Sequence, residues 1–472
     1  MATAELPDHY DLVVLGLGPG GGEVAERLAE AGVNVLGVES RLVGGECPYY
    51  GCIPSKMIVR AAGTLAEAGH VDHLAGSATV EPDYRKVADR IRDEATDDWN
   101  DQVAVDRLTG LGGHFVRGVG KFAGRTEDGL LRVEVNSRTV TADRVVVATG
   151  TAPAIPPIPG LAELVGDGPT PDGLVWTNRE VLQIKQAPAS LLVIGGGAIG
   201  CELAQGLARF GVRVTQLEGA ERILAPEEPE AAAVVAGVFE REGIELHAGV
   251  TISAVRATED GVAVQLADGR SFAAERLLIA AGRRPNLGEL ALQTVGLDPA
   301  ARTLDVDEHM QVADGIYAVG DITGRGPFTH VAVWQARVLI AHLLNKTEPY
   351  GGYDGLAWVT FTDPEVGRVG LSERQARERG LDVVIGTTEI SASTRGWIHG
   401  PGNDGFVKLI ADRNRGVLVG ATVVSPSGGE LLGLLTLAVH AEVPLTRLAS
   451  MHYAYPTLHR AILDAVTALG LS

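Results

Sequence analysis

One pattern occurs twice along this chain and restricts what it can fold into. An apolar run, Asp11-Leu-Val-Val-Leu15, enters a glycine turn with Gly16, Gly18 and Gly21 in G-x-G-x-x-G spacing. A helix-like segment from Glu23 to Ala31 follows, then a second apolar run, Val33 to Val38, that closes on Glu39. About 180 residues later, Ser190 to Ile194 leads into Gly195, Gly197 and Gly200 at the same spacing. A helix-like stretch from Cys201 to Phe210 follows, and Val212 to Leu217 closes on Glu218. In such a unit the first glycine permits the tight turn and the second lets backbone reach a pyrophosphate. The third lets helix and strand pack closely. The helix N-terminus favours phosphate charge, and the closing carboxylate suits a ribose diol. A single G-x-G-x-x-G arises readily by chance. Two, each with full strand, helix and acid context, predict two dinucleotide sites exchanging electrons.

The remaining segments fit around these two units. Val145 to Gly150 reads as a buried strand with a glycine stop, and the Pro-rich stretch Ala152 to Pro159 as a linker. Leu277 to Gly282 is a similar strand followed by Arg283-Arg-Pro-Asn286, and Gly315 to Asp321 a short strand ending in Gly-Asp. From about Tyr350 the pattern changes to strands Phe406 to Ala411 and Gly416 to Val424, then a helix over Glu430 to Ala441. The predicted class is therefore α/β: two Rossmann-like domains plus a C-terminal α+β domain. Glycine, 61 of 472 residues, is about twice its usual share, as many tight turns require. A net charge of −20 argues against a nucleic-acid partner or an anionic membrane surface. No apolar run reaches the ~18 residues of a membrane span. The first residues lack the basic region and cleavage site of a signal peptide. Three cysteines cannot build a secreted disulfide framework. The expectation is a soluble, cytoplasmic, multidomain protein.

The chemistry concentrates in Gly44-Gly-Glu-Cys47-Pro-Tyr-Tyr-Gly-Cys52-Ile-Pro-Ser-Lys56. Two cysteines five positions apart stand at the start of a predicted helix, Cys52 to about Ala68. A helix N-terminus lowers thiol pKa, and the loop is short enough to close a reducible disulfide. Lys56, four residues after Cys52, falls on the same helical face. A zinc site would need two more ligands, and the third cysteine, Cys201, belongs to the second nucleotide helix. Two unrelated buried thiols would not explain the surrounding Gly, Pro and Lys.

With these residues the chain resembles the FAD-dependent pyridine nucleotide–disulfide oxidoreductases, the family of dihydrolipoyl dehydrogenase, glutathione reductase and mercuric reductase. The resemblance covers nearly the whole length. It includes Ile316-Tyr-Ala-Val-Gly-Asp321, Thr329-His-Val-Ala332, Phe361-Thr-Asp-Pro-Glu365 and Gly405-Phe-Val-Lys408. It implies FAD at Gly16, Gly18, Gly21 and Glu39, and NAD(P)H at Gly195, Gly197, Gly200 and Glu218. Gly45, Lys56, Thr149, Gly150, Asp321 and Gly282 would line the cofactor sites. Cys52 would face the flavin, Cys47 would be the interchange thiol, and Lys56 would sit near flavin N5 and pair with Glu202. The implied division is 1–155 with 285–348 for FAD, 156–284 for NAD(P)H and 349–472 for dimerisation. The partner is a second copy of the chain, with the active site shared across the interface, and the substrate a small-molecule acceptor. Glu218 would repel a 2′-phosphate and so favours NAD, with NADP the alternative because Arg213 and Arg222 lie nearby.

The chain departs from the family where protons are handled. Disulfide-reducing members carry His-Pro-Thr with a glutamate five residues after the histidine. Here Tyr455 stands at the histidine position and Arg460 at the glutamate position. A phenol ordinarily titrates near ~10 and an imidazole near ~6.5, so the relay is altered. His452 and His459 flank the site as alternative proton carriers. Tyr49 and Tyr50, between the cysteines, would either line an acceptor pocket or pack internally. Mercuric reductases also have tyrosine here, but they end in a cysteine pair, and this chain has no cysteine after Cys201. No resident metal is predicted. The acceptor expected is a small disulfide or thione-type compound whose leaving group needs no proton. Quinones, soft metal ions and lipoamide remain the alternatives, the first two as in a diaphorase or a mercuric reductase.

Overall fold

The structure, a computed structural model, describes residues 7–347 and 351–470. It separates into two compact units. The first comprises the described residues of Met1–Pro54, Asp89–Ala154 and Arg283–Tyr350. Its sheet runs in the order Gln311–Ala313, Ile316–Ala318, Arg138–Val147, His9–Leu15, Val35–Glu39 and His114–Arg117. The hairpin Gly120–Arg125 and Leu131–Val135 extends from Arg138–Val147. The neighbours of His9–Leu15 are parallel to it, with Leu15 opposite both Val38 and Val147. A parallel strand is covered on both faces and so reads as an unbroken apolar run. Leu12 and Val14 pack with Val24, Leu28 and Leu339 on one side, and Val13 and Leu15 with Phe122 and Leu131 on the other.

The second unit comprises Ser55–Ala88, Ile155–Gly282 and the described residues of Gly351–Ser472. A parallel sheet is ordered Glu245–His247, Arg213–Leu217, Ser190–Ile194, Arg276–Ile279 and Val175–Trp176. An antiparallel three-stranded sheet spans Ile252–Thr258, Gly261–Leu266 and Ser271–Ala274. The C-terminal part is an antiparallel sheet in the order Ala357–Thr360, Glu365–Gly370, Val417–Ser425, Phe406–Asp412 and Val383–Glu389. Leu431 and Leu435 of helix Gly428–His440, with Ala461, Ile462 and Ala465 of helix His459–Ala468, fill its core. The class is α/β with an α+β C-terminal part, as expected. No helix among the described residues is long and apolar enough to cross a membrane.

One polar cluster ties this unit together. Lys408, 3% exposed, places its Nζ 2.9 Å from Glu228, 2.8 Å from Glu230 and 2.9 Å from Glu373. Burial opposes its charge, but the hydrogen bonds to Glu230, Glu373 and Glu228 outweigh burial and hold its pKa above the ordinary lysine value. The Lys408 hydrogen bond in turn holds Glu373 below the usual carboxylate range. A depressed carboxylate adds stability above its unfolded pKa and loses it as pH falls through the folded value. Lys408→Met removes the cation shared by Glu228, Glu230 and Glu373, of which, among the described residues, Glu373 alone keeps a second, Arg377. It should cost about 3–5 kcal/mol in denaturant unfolding at neutral pH, a gap that narrows as pH falls through the depressed Glu373 value.

Candidate active site

Both glycine turns have the same construction. Gly16 has φ +92°, and a Cβ there would lie 2.5 Å from the Ala148 carbonyl oxygen; Gly195 has φ +116°, and a Cβ there would strike that of Ala280. A Cβ on Gly21 would collide with the Gly16 carbonyl oxygen, and one on Gly200 with that of Gly195. The middle glycines differ from these. Around the Cβ positions of Gly18 and Gly197 there is no atom within 4 Å. Each middle glycine also supplies the extended cap of the helix that follows, Pro19–Glu30 or Ala198–Ala208. An open backbone approach beside a helix N-terminus is what a dinucleotide pyrophosphate requires, so these residues fit FAD and NAD(P)H. Gly45, at φ +68°, approaches Gly18 so closely that its Cβ would lie 2.8 Å from the Gly18 Cα.

The closing acids have a second role that the motif alone does not reveal. Glu39 accepts from the backbone N–H of Leu17 at 2.8 Å and of Arg41 at 2.7 Å. Glu218 accepts from the N–H of Gly196 and, at 2.6 Å, of Ala220. Each carboxylate thus ties the glycine turn to the end of the neighbouring strand. Each oxygen retains a lone pair for a ribose hydroxyl.

Cys47 lies in the short helix Glu46–Tyr50, and Cys52 is the first residue of the helix Cys52–Gly69. The two form a disulfide with Cα atoms 4.7 Å apart, and both side chains are half-buried. A polar chain leads into this loop. Thr151 Oγ1 donates to Asp321 at 2.7 Å and accepts from Arg283 Nε at 2.7 Å, and Arg283 Nη2 donates to Glu46 at 3.2 Å. Of the other positions in this unit, Thr149 exchanges hydrogen bonds with Asn286. Gly150 turns through φ +61° with open space around it. Tyr49 is 7% exposed and its carbonyl accepts from Trp99 Nε1, so little of its ring is left for an acceptor to stack on. Tyr50 is half-buried.

In the other unit, Lys56 Nζ lies 2.6 Å from Glu202 Oε2. Glu202 Oε1 accepts from the Phe361 N–H at 2.9 Å, and the ammonium stands 4.5 Å above the Phe361 ring. One turn on, Gln205 exchanges two hydrogen bonds with the backbone of Asp363, both 2.8 Å. Gly282, at φ +102°, is also open. Cys201 is buried, donates to the Gly196 carbonyl at 3.3 Å, and its thiol is pushed up to about 12 by burial, which makes it inert.

Tyr455 is 68% exposed, and its hydroxyl reaches Thr394 Oγ1 at 3.4 Å. Among the described residues the side chains of His452, His459 and Arg460 make no hydrogen bond or ion pair. His459 lines a cleft of about 330 Å³ with Arg395, Ser427, Glu430 and Thr457; His452 is exposed. Three participants were missed from sequence: Thr329, whose hydroxyl lies 3.3 Å from Cys52 Sγ, Phe361 and Arg283. Each sits in a segment singled out by its motif, but neither spacing nor periodicity links it to its partner.

A model of the pyridine nucleotide-disulphide oxidoreductase family matches residues 10–336, and one of its dimerisation domain matches residues 356–466. A dihydrolipoyl dehydrogenase from Halobacterium salinarum is 34% identical over 490 residues, covering 100% of this chain and 98% of that one. One from Bacillus subtilis is 31% identical over 485 residues, covering 100% and 98%. Among solved structures, LpdA from Mycobacterium tuberculosis has a TM-score of 0.84 at 27% identity, covering 98% of this chain and 100% of that one. The HOCl-induced flavoprotein disulfide reductase RclA from Escherichia coli has 0.82 at 26%, covering 97% and 99%.

The two turns are separable by experiment. Gly21→Ala should yield protein with well under half its flavin, read from absorbance. Gly200→Ala should retain flavin but raise KM for NADH roughly tenfold, about 1.4 kcal/mol of binding.

Proposed function

The chain belongs to the pyridine nucleotide-disulphide oxidoreductase family and is an NAD(P)H-dependent FAD enzyme, and on that ground we propose the following reaction. Reducing equivalents from NADH open the Cys47–Cys52 disulfide, and the thiols then reduce a small disulfide or thione-type acceptor whose leaving group departs as an anion. Bound FAD supplies two-electron transfer between nicotinamide and sulfur. The chain's own residues do the rest. The glycine turns and their carboxylates hold the two nucleotides, and Lys56, fixed by Glu202, holds positive charge one helical turn beyond Cys52. Cys47 is the thiol that attacks the acceptor. The three segments 1–155 with 285–348, 156–284 and 349–472 divide as FAD, NAD(P)H and interface domains, the 348/349 boundary lying outside the described residues. The dimerisation domain supports a homodimer, and we place Tyr455 at the shared active site.

The feature that carries the acceptor class is in the sequence: Tyr455 stands where the family's histidine would, and Arg460 where the glutamate that orients it would. An ordinary phenol near ~10 does not surrender its proton to an ordinary thiolate near ~8.5. It offers a hydrogen bond only, which suffices for leaving groups stable as anions. NADH is favoured over NADPH because both nearby arginines are out of reach. Arg222 is committed to the carbonyls of Ala225 at 2.8 Å and Glu227 at 3.0 Å, and Arg213 opens the strand whose far end precedes Glu218. The relatives named dihydrolipoyl dehydrogenase favour lipoamide as the second reading.

Thiol counting and an acceptor screen test this. Anaerobic NADH should raise the thiols titrated after denaturation from one, Cys201, to three. Cys47→Ser with Cys52→Ser should lose disulfide turnover; retained turnover would mean a diaphorase. Aromatic disulfides should exceed lipoamide by roughly tenfold or more, and Tyr455→His should narrow that gap. Fastest turnover with lipoamide, quinones, Cu(II) or mercuric ion would replace the proposed acceptor.

A further inference from the structure

After Glu218 the chain runs through a loop, 219–228, into the helix Pro229–Arg241. The loop lies against the second glycine turn. Leu224, held at φ +48°, donates its N–H to the Gly196 carbonyl at 2.7 Å. A Cβ on Gly196 would lie 2.7 Å from Ile223 Cγ2, and Ile223 and Leu224 are both buried. Arg222 braces the loop from within through the carbonyls of Ala225 and Glu227.

The far end of the loop is held from the C-terminal sheet. Trp358 and Arg368 stand directly opposite each other on the neighbouring strands Ala357–Thr360 and Glu365–Gly370. Trp358 Nε1 donates to Glu227 Oε1 at 2.7 Å, and Arg368 Nη1 donates to the Pro226 carbonyl at 2.7 Å. The guanidinium lies 4.8 Å over the Trp358 ring, and its Nη2 donates to Gln375 Oε1. Arg368 is 2% exposed and Glu227 7%. Burial pushes the Glu227 carboxyl up and the Arg368 guanidinium down, and each charge partly offsets the shift of the other. Burying two such charges is a costly way to gain stability. What a guanidinium and an indole N–H supply that apolar side chains do not is direction: each fixes the position of one oxygen.

We propose that Arg368 and Trp358 are positioning residues for the nicotinamide nucleotide, acting through the loop 219–228 on the glycine turn. This rests on the reading of the Gly195, Gly197 and Gly200 turn as the NAD(P)H site. The path is continuous. Arg368 and Trp358 hold Pro226 and Glu227, Leu224 holds the Gly196 carbonyl, and the Gly196 N–H donates to Glu218. A loop released at Pro226 loosens both the turn that would meet the pyrophosphate and the acid that would meet the ribose. Two residues within the span matched by the dimerisation-domain model thereby set affinity at a site to which they contribute no atom.

The test follows flavin reduction by NADH in FAD-loaded protein, by anaerobic stopped flow, which requires no acceptor. Arg368→Met removes both hydrogen bonds and keeps an apolar stem. It should raise the half-saturating NADH concentration roughly tenfold, with the limiting rate within about twofold and flavin content unchanged. Trp358→Phe keeps a ring under the guanidinium and loses only the N–H; it should raise that concentration about threefold. Leu435→Val, in the apolar core of the same sheet, should lower the melting temperature and leave the NADH dependence as it was. Unchanged half-saturation in Arg368→Met and Trp358→Phe overturns the proposal, and Trp358→Phe decides alone if Arg368→Met does not fold. An equal rise in Leu435→Val also overturns it, because the effect is then general loosening. A lowered limiting rate with unchanged half-saturation overturns it too. If Gly200→Ala leaves the NADH dependence untouched, the reading of that turn as the nucleotide site fails instead, an outcome distinct from these.

Discussion

The structure depends on backbone meeting backbone without a side chain between. At Gly21 against Gly16, and at Gly200 against Gly195, the third glycine of each turn lies so close to the first carbonyl that a single methyl group would force them apart. That approach lets a helix begin directly at the end of a buried strand, with its unpaired N–H groups directed at the space beside the middle glycine. The closing carboxylate then ties turn to neighbouring strand through two backbone N–H groups. One acid therefore stabilises the turn and, on the proposed reading, presents charge to a ribose. Loss of Glu39 or Glu218 would alter the shape of a site as well as its charge.

Much of this is legible in sequence because the signals are local. The strand Ser190–Ile194 matches its apolar run at both ends, Phe406–Asp412 runs one residue further than expected at one end, and Val417–Ser425 is shifted by one residue at both. The helices after the turns begin earlier than the sequence suggests, at Pro19 and Ala198 rather than near Glu23 and Cys201. Gly20, Gly21 and Gly200 are poor helix formers, but the packing that leaves no room for a Cβ there overrides propensity. What is not legible is any contact between distant segments. Thr151, Arg283, Glu46 and Asp321 form one hydrogen-bonded chain across 132 to 237 positions, and no periodicity announces it. The lysine of Gly405-Phe-Val-Lys408 reads as an unremarkable strand residue until Glu228, Glu230 and Glu373 converge on it.

The changed residues fall on one side of the chemistry. On the proposed reading, the groups concerned with electrons keep the family's residue types: both nucleotide turns, the disulfide at a helix start, the Lys56–Glu202 pair. The departures, Tyr455 and Arg460, fall on the residues that reading assigns to protons. A hydride delivers two electrons and one proton, whereas converting a disulfide to two neutral thiols consumes two protons. The second proton must come from an acid poised near neutrality, and a phenol is a poor source of it. If the departing group is stable as an anion, one proton suffices and no second acid is needed. Retaining the sulfur relay while changing the proton relay is thus a coherent arrangement, provided the acceptor's product can leave carrying its charge.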